Sequence, residues 1–485
     1  MAENWNPKPG DSVFRPRRIK RFRLRRVLGI PAVFSAGYGN VGSSIYYALG
    51  IVALVAMGAT PVALGIAGVL FIFTALTYAE GTAALPEAGG SASFARHAFG
   101  DTAGFIAGWA LMLSYIVTIA ISAFTIPPYL GYFWEPFKSS PFIGTIASMG
   151  IVFFLMALNV VGIRETSFIN VGAAMLDILT QVSLVVIGFI LLFDPVVLIH
   201  RMMENWPSTT NLVLGIALAS IAYTGIETMS QMAEETKNPE KSVPRALVMM
   251  IITVLVIFAG ISLVSLSAMP LEELTSDWAR DPVAGIAYHL PIELIRTILK
   301  PLIAVLAGTI LLIATNAGLI GISRLAFSLG SHKLVPPLLS RVHHKFKTPY
   351  VSIIIFSLIA ILILVPGLFA TDVFANMGAL YAVGSLLAFM FAHASIISLR
   401  VSKPELPRPF KLAWNIHIKG REIPISAIIG LATTLAIWII ILITQPYSRW
   451  VGLGWMVSGL VLYYFYRRKR RASSIATREE WEKHR

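Results

Sequence analysis

Two long apolar stretches of this chain are interrupted near their middles, by GYGNVGSS from Gly37 to Ser44 and by YTGIE from Tyr223 to Glu227. A backbone polar group freed inside hydrocarbon costs several kcal/mol. An interrupted membrane helix therefore persists only where protein, water or a solute satisfies the exposed N–H and C=O groups. Paired interruptions at corresponding places are the mark of a solute site built from two repeats.

The rest of the composition agrees with a chain that lives in lipid. Of 485 residues 56% are hydrophobic and 13% charged, and the mean hydropathy is +0.74, far too apolar for a soluble multidomain protein. The formal charge of +14 does not indicate nucleic acid, because the basic residues fall between apolar runs and form no stripe on a soluble domain. There is no cysteine, which removes disulfides, thiolate metal sites and a cysteine nucleophile. No enzyme class, cofactor or metal site is indicated. The arginine-rich start, Met1 to Arg26, precedes an apolar run longer than a signal core and many further runs, so it is not read as a cleaved leader.

Runs of about 20 apolar residues, the length that crosses a hydrocarbon core of about 30 Å, occur near 28–57, 60–85, 101–131, 141–162, 168–193 and 211–233. They continue near 246–269, 298–329, 350–368, 372–399, 424–444 and 450–466. Twelve spans place both termini on one side. Of the 39 lysines and arginines, 33 fall on that side; the other side holds Lys138, Arg201, Arg280, Arg296, Lys300 and Arg449. The positive side is the cytoplasm, so a multi-pass protein of the cell membrane with cytoplasmic termini is expected. The interruptions lie in spans one and six. Five spans separate them, and five is odd, so the two halves are inverted relative to each other. Each break is about ten residues into its span, roughly 15 Å at the helical rise, near the midplane.

On this frame Gly42-Ser43-Ser44-Ile45-Tyr46 resembles the span-one motif of the amino acid-polyamine-organocation superfamily. Tyr78-Ala79-Glu80 with Pro86-Glu87-Ala88-Gly89-Gly90-Ser91, and Leu158-Asn159-Val160-Val161-Gly162-Ile163-Arg164-Glu165, resemble its signatures at the ends of spans two and four. The most specific block runs from Ala222-Tyr223-Thr224-Gly225-Ile226-Glu227 through Ala233-Glu234-Glu235-Thr236-Lys237-Asn238-Pro239 to Pro244. Ser323-Arg324-Leu325, followed by Leu334-Val335-Pro336, is similar to the end of span eight. The resemblance implies an all-α integral membrane protein with twelve transmembrane helices, a LeuT-type five-plus-five inverted repeat with helices one and six broken. The expected parts are a cytoplasmic basic N-terminus (1–27), a ten-helix transport core (28–400), a loop with two additional helices (401–466) and a cytoplasmic basic tail (467–485).

The expected activity is secondary active transport of an amino acid by alternating access, most simply as proton symport. A carrier of polyamines or other organic cations, an amino acid exchanger, and a channel or solute sensor on the same fold are the alternatives. Half-helix amides at the first break suit a carboxylate, which places it on Gly42, Ser43 and Ser44. Carbonyls at the second break suit an ammonium group; the resemblance puts them on Ile221, Ala222 and Thr224, with Tyr223 and Gly225 completing the segment. The partners implied are a small amino acid, the lipid bilayer and H⁺, or else Na⁺.

Asp177 sits about nine residues into span five, where an acid costs about 2.5 to 3.5 kcal/mol on insertion scales. Proton-coupled members of the superfamily carry a lysine at this place, seven residues after an asparagine matching Asn170. Asp177 therefore reads as a proton carrier, as a Na⁺ ligand with carbonyls of span one and the hydroxyl of Thr315, or as a structural hydrogen-bond acceptor. Glu227 either joins the proton path, attracts a cationic substrate or braces the broken helix. Glu80, Glu234 and Glu235 are expected near the cytoplasmic face, neutralised by Arg164, Lys237 or Arg245. His393 is read as structural, and Arg467 to Arg471 as a lipid headgroup anchor. Three positions depart from the superfamily pattern: Ile221 replaces an aromatic, Ser114 an acid before Tyr115, and Asn40 a small residue.

Overall fold

Helix starts are set locally and helix lengths by the bilayer. Proline opens helices at Pro31, Pro61, Pro141 and Pro239, where its missing N–H has no intrahelical partner to lose. Span four begins with the Ser140 hydroxyl accepting from the Ile143 amide and ends on Gly162, whose φ of +79° stops the helix. The computed structural model describes residues 26–162, 167–369, 373–418 and 420–483. The basic N-terminus before Arg26 and the Ile163-Arg164-Glu165 end of the span-four motif lie outside the described residues.

The molecule is an all-α membrane protein. Among the described residues ten stretches are long and apolar enough to cross a bilayer. The first, Ile30–Ala84, has 55 residues and contains both expected spans one and two, joined by a short turn at Met57–Ala59. The expected twelfth span lies in the helix Pro446–Lys483 and is not among the ten, because glycine, tryptophan, tyrosine and Arg449 dilute its apolarity. Span three (Asp101–Leu130) is buried along almost its whole length and packs against spans eight (Glu293–Ser331) and ten (Val373–Ser402). Spans four, five, nine and eleven leave most of their surface to lipid.

Span one comprises Ile30–Val41 and Ile45–Ala56, joined by the 3₁₀ turn Gly42–Ser44. Span six comprises Thr209–Ala219, the 3₁₀ turn Ser220–Tyr223 and the short helix Glu227–Gln231. The two 3₁₀ turns touch in the interior. The loop between spans seven and eight folds into Leu271–Ser276 and Pro282–Tyr288 and lies on the second half of span one. A Cβ on Gly50 would sit 1.9 Å from the Ala279 carbonyl oxygen. Asp281 of this loop is bonded at 2.9 Å by Lys138, whose ammonium lies 3.6 Å over the Trp278 ring. Burial pushes the Asp281 carboxyl up to about 6 against the opposing charges of Lys138 and Arg280. A two-stranded hairpin, Asn415–Ile418 with Arg421–Pro424, precedes span eleven.

Candidate functional site

The two interruptions differ in kind. In span one every residue from Val41 to Ile45 keeps right-handed helical angles, so the chain tightens without unwinding. The Gly42 amide donates to the Tyr38 carbonyl, and the Ser43 and Ser44 hydroxyls donate to the Asn40 carbonyl at 3.1 and 3.3 Å. Span six opens fully: Thr224 is extended and Gly225 has a φ of +109°, a conformation that glycine adopts without strain. The Ile221 carbonyl is taken by the Thr224 amide and hydroxyl.

Asn40 joins the two breaks. Its amide nitrogen donates to the Thr228 hydroxyl at 2.9 Å and to the Gly225 carbonyl at 3.5 Å, and a Cβ on Gly225 would meet it at 2.8 Å. Glu227 holds the same residue, accepting from the Gly225 amide at 3.1 Å through Oε2. Asn40 Oδ1 and Glu227 Oε1 are buried with no hydrogen-bond partner among the described residues. The hydroxyls of Tyr78, Tyr115 and Tyr381, from spans two, three and ten, lie within electrostatic reach of Glu227 and beside the hydroxyls of Ser91, of Thr228, and of Thr118 and Thr224. Buried polar groups are ordinarily paired. Orphans that share one region need water or a ligand.

Asp177 is furnished in the opposite way. Its Oδ1 accepts from Tyr46 at 2.6 Å, and its Oδ2 accepts from Tyr38 at 2.8 Å and Gln181 at 2.6 Å. Tyr38 and Tyr46 stand on either side of the Gly42–Ser44 turn. The Tyr129 hydroxyl, on span three, donates to the Tyr46 carbonyl at 2.8 Å.

Other expected residues fall elsewhere. Thr315 is buried and spends its hydroxyl on the Leu311 carbonyl one turn back. Tyr223 donates to the Leu64 carbonyl and stacks on Phe71, so its side chain serves packing with span two. Ile221 and Ile51 fill the space over Gly378 of span ten. The Ser114 hydroxyl is a further buried orphan. His393 accepts or donates to Thr77 and Thr74, and only a glycine at position 430 clears its ring, which suits the structural reading.

Glu80, Glu234 and Glu235, expected near the cytoplasmic face, do not have the partners expected. Glu80 is gripped by Arg400 through two bonds of 2.6 Å and by the Leu412 amide at 2.7 Å. Arg400 also reaches Glu422 of the hairpin. Glu235 pairs with Arg324 at the end of span eight, and Glu234 accepts from the Ala88 amide. Arg164 lies outside the described residues. Residues 320 apart in sequence form the Glu80 pair, a separation that no local pattern signals. The tyrosines around both acids were likewise missed, although Tyr38 and Tyr46 lie within or beside the span-one motif itself.

Comparison with known proteins supplies the family. The sequence profile described as amino acid permease matches residues 28–465. A branched-chain amino acid permease of Bacillus subtilis (strain 168) is 27% identical over 92% of this chain and 94% of its own length. A methylthioribose transporter of the same organism is 25% identical over 97% and 99%. A low-affinity putrescine importer of Escherichia coli (strain K12) is 24% identical over 91% and 93%.

Proposed function

The chain belongs to the amino acid permease family, and from that membership we propose that it moves an α-amino acid together with a proton across the cell membrane by alternating access. Amino acid transport is the family's activity; the proton, the cell membrane and cytoplasmic termini are our reading. The observation that carries it is the junction at Gly225. There Asn40 ties the two breaks together and leaves Asn40 Oδ1 and Glu227 Oε1 as buried acceptors without partners.

Two such acceptors suit an ammonium group, whose three protons need acceptors once it leaves water. The carbonyls of Ala222 and Thr224 lie on the same segment. For the substrate carboxylate our reading keeps the Gly42–Ser44 turn, where the Ser43 and Ser44 hydroxyls would exchange their bonds to the Asn40 carbonyl for the ligand. Proton coupling is favoured over Na⁺ by the groups on Asp177. Three donors point at its oxygens, whereas a Na⁺ site needs oxygen acceptors there.

The test is uptake by the purified protein in proteoliposomes, with the external pH and Na⁺ varied independently. Accumulation of at least one common amino acid under an acid-outside gradient, unaffected by Na⁺, is expected. Accumulation driven by Na⁺ alone would replace the proton, and failure to bind any common amino acid would overturn the reading. An organic-cation carrier is the second reading, favoured by the unpaired carboxylate oxygen of Glu227 and by the putrescine importer among the relatives. Competition by putrescine without competition by zwitterionic amino acids would select it.

A further inference from the structure

We propose that Asp177 is the hub of a clamp on the interrupted first span, with Tyr38 and Tyr46 as positioning residues on its two halves and Gln181 as the acceptor of the proton that opens it. The inference rests on the proton-coupled reading and names the moving part.

The clamp spans the break. Tyr38 lies on Ile30–Val41 and Tyr46 on Ile45–Ala56, so one carboxylate of span five holds both half-helices. An ionised carboxylate accepts at about four lone-pair positions, and three are filled by neutral donors. No cation takes part. Titratable or charged groups around Asp177 are Tyr38 and Tyr46 from span one and Tyr129 from span three. Span seven from Leu247 to Ala268 and span eight from Leu302 to Ser323 carry no charged residue. The short helix Pro282–Tyr288 also packs on span five, with Asp281 at its start and Tyr288 at its end.

Protonation has a defined receiver. A carboxylic acid must donate its proton, and Gln181, already bonded to Oδ2, has an Oε1 that is buried without a partner among the described residues. A half-turn of the Gln181 amide exchanges Nε2 for Oε1. A proton from water then bonds to Oδ2, donates to Gln181 Oε1, and returns to water when Asp177 ionises again. The Tyr38 bond shares Oδ2 and loses its charge assistance, while Tyr46 keeps the carbonyl-like Oδ1. The half-helix nearest the N-terminus is released first, and the second half stays tethered.

The chain has no cysteine, so one thiol reports the motion. Ser35 is 1% exposed, its hydroxyl is unpartnered among the described residues, and it lies one turn before Tyr38. Full-length Ser35→Cys protein in proteoliposomes is treated with a small charged thiol reagent at pH 8 and pH 5. Each rate is divided by that of the denatured chain at the same pH, which removes the thiol's own titration. A rise of at least about tenfold at pH 5 is expected. Adding Tyr38→Phe makes labelling fast at both pH values, adding Tyr46→Phe preserves the pH response, and adding Gln181→Leu, which takes a donor from the carboxylate, raises the pH 8 rate toward the pH 5 rate. Substrate binding in a thermal-shift titration, which needs the pocket but no movement of span one, verifies folding in all three.

Labelling independent of pH in the Ser35→Cys parent, or identical behaviour of the two tyrosine variants, overturns the clamp. Should Tyr38→Phe fail to fold, the Gln181→Leu arm decides alone, and a preserved pH response there overturns the proposal. Accumulation driven by a pH gradient is measured alongside. If it is absent in the unmodified protein, the proton-coupled reading fails; if it is present while labelling ignores pH, only the clamp does.

Discussion

Asp177 and Glu227 are both fully buried near the midplane, yet their surroundings are opposites. Asp177 is saturated: three donors from spans one and five meet its two oxygens. Glu227 is half-furnished, with one oxygen on the Gly225 amide and the other unpaired among the described residues, within electrostatic reach of three tyrosine hydroxyls. A saturated buried acid ties elements together and changes state only by rearranging its donors. An unsaturated one has capacity left for something that arrives. Burial and depth alone, which the two share, say nothing about this division.

The strongest way to break the comparison is to neutralise each acid in turn. Asp177→Asn puts two N–H donors against a set of groups that are themselves donors, leaving at least one buried hydroxyl without an acceptor, at about 1–3 kcal/mol. Accumulation driven by a pH gradient is expected to be lost, by about a hundredfold or more, with substrate binding partly spared. Uptake measured beside a thermal-shift titration separates the two effects, and unchanged accumulation would remove Asp177 from the mechanism.

Glu227→Gln is the smaller perturbation. An amide can keep an oxygen for the Gly225 amide or turn it toward the pocket, but it carries no charge for an ammonium group. Loss of a charge-assisted bond is worth about 1.5–3 kcal/mol, so the apparent affinity for an amine-bearing substrate should fall by roughly tenfold or more. The pH-driven accumulation ratio at saturating substrate should change little. If Glu227→Gln abolished that ratio and Asp177→Asn left it intact, the two roles would be exchanged.

How much of this is legible in the sequence follows from the range of the forces. Spans and the two breaks are written in local composition: apolar length, and small residues where a helix tightens. Asp177 announces itself because an acid at that depth is expensive. Its partners do not, since Tyr38 lies 139 residues away and Tyr46 131. The same limit hides Arg400 from Glu80. The first break was expected to free its backbone amides, and it does so less than span six, because Gly42, Ser43 and Ser44 all fit right-handed helical angles and their polar groups fold back on Tyr38 and Asn40. Only at Gly225 does a positive φ force the chain open.

Asn40 sharpens the contrast from the side of the pocket. Asn40→Ala removes the bridge to Thr228 and Gly225 and one of the two orphan acceptors. About 1 kcal/mol of net hydrogen bonding corresponds to roughly a fivefold rise in the substrate concentration for half-maximal uptake. Because Asn40 has no bond to Asp177 among the described residues, the pH dependence of uptake should be unchanged. A shifted pH profile would join the two regions that the geometry keeps apart.

A third buried acid calibrates the pair. Asp281, in the loop over span one, has what the other two lack, a formal counter-ion in Lys138. Even so, burial outweighs the attraction and its carboxyl is pushed up to about 6 from the ordinary value of about 3.9. The folded protein thus holds this proton more tightly than the unfolded chain. Stability from this group is fully present below about pH 4, falls as pH rises, and levels off above about pH 6. Between pH 5 and pH 8 the expected loss is about 1 kcal/mol. In Asp281→Asn the side chain stays neutral, so that slope should vanish, and the variant should gain about twice as much stability relative to the parent at pH 8 as at pH 5. A larger gain at pH 5 would mean that the Lys138 pair, and not the cost of burying the carboxylate, dominates at the lid.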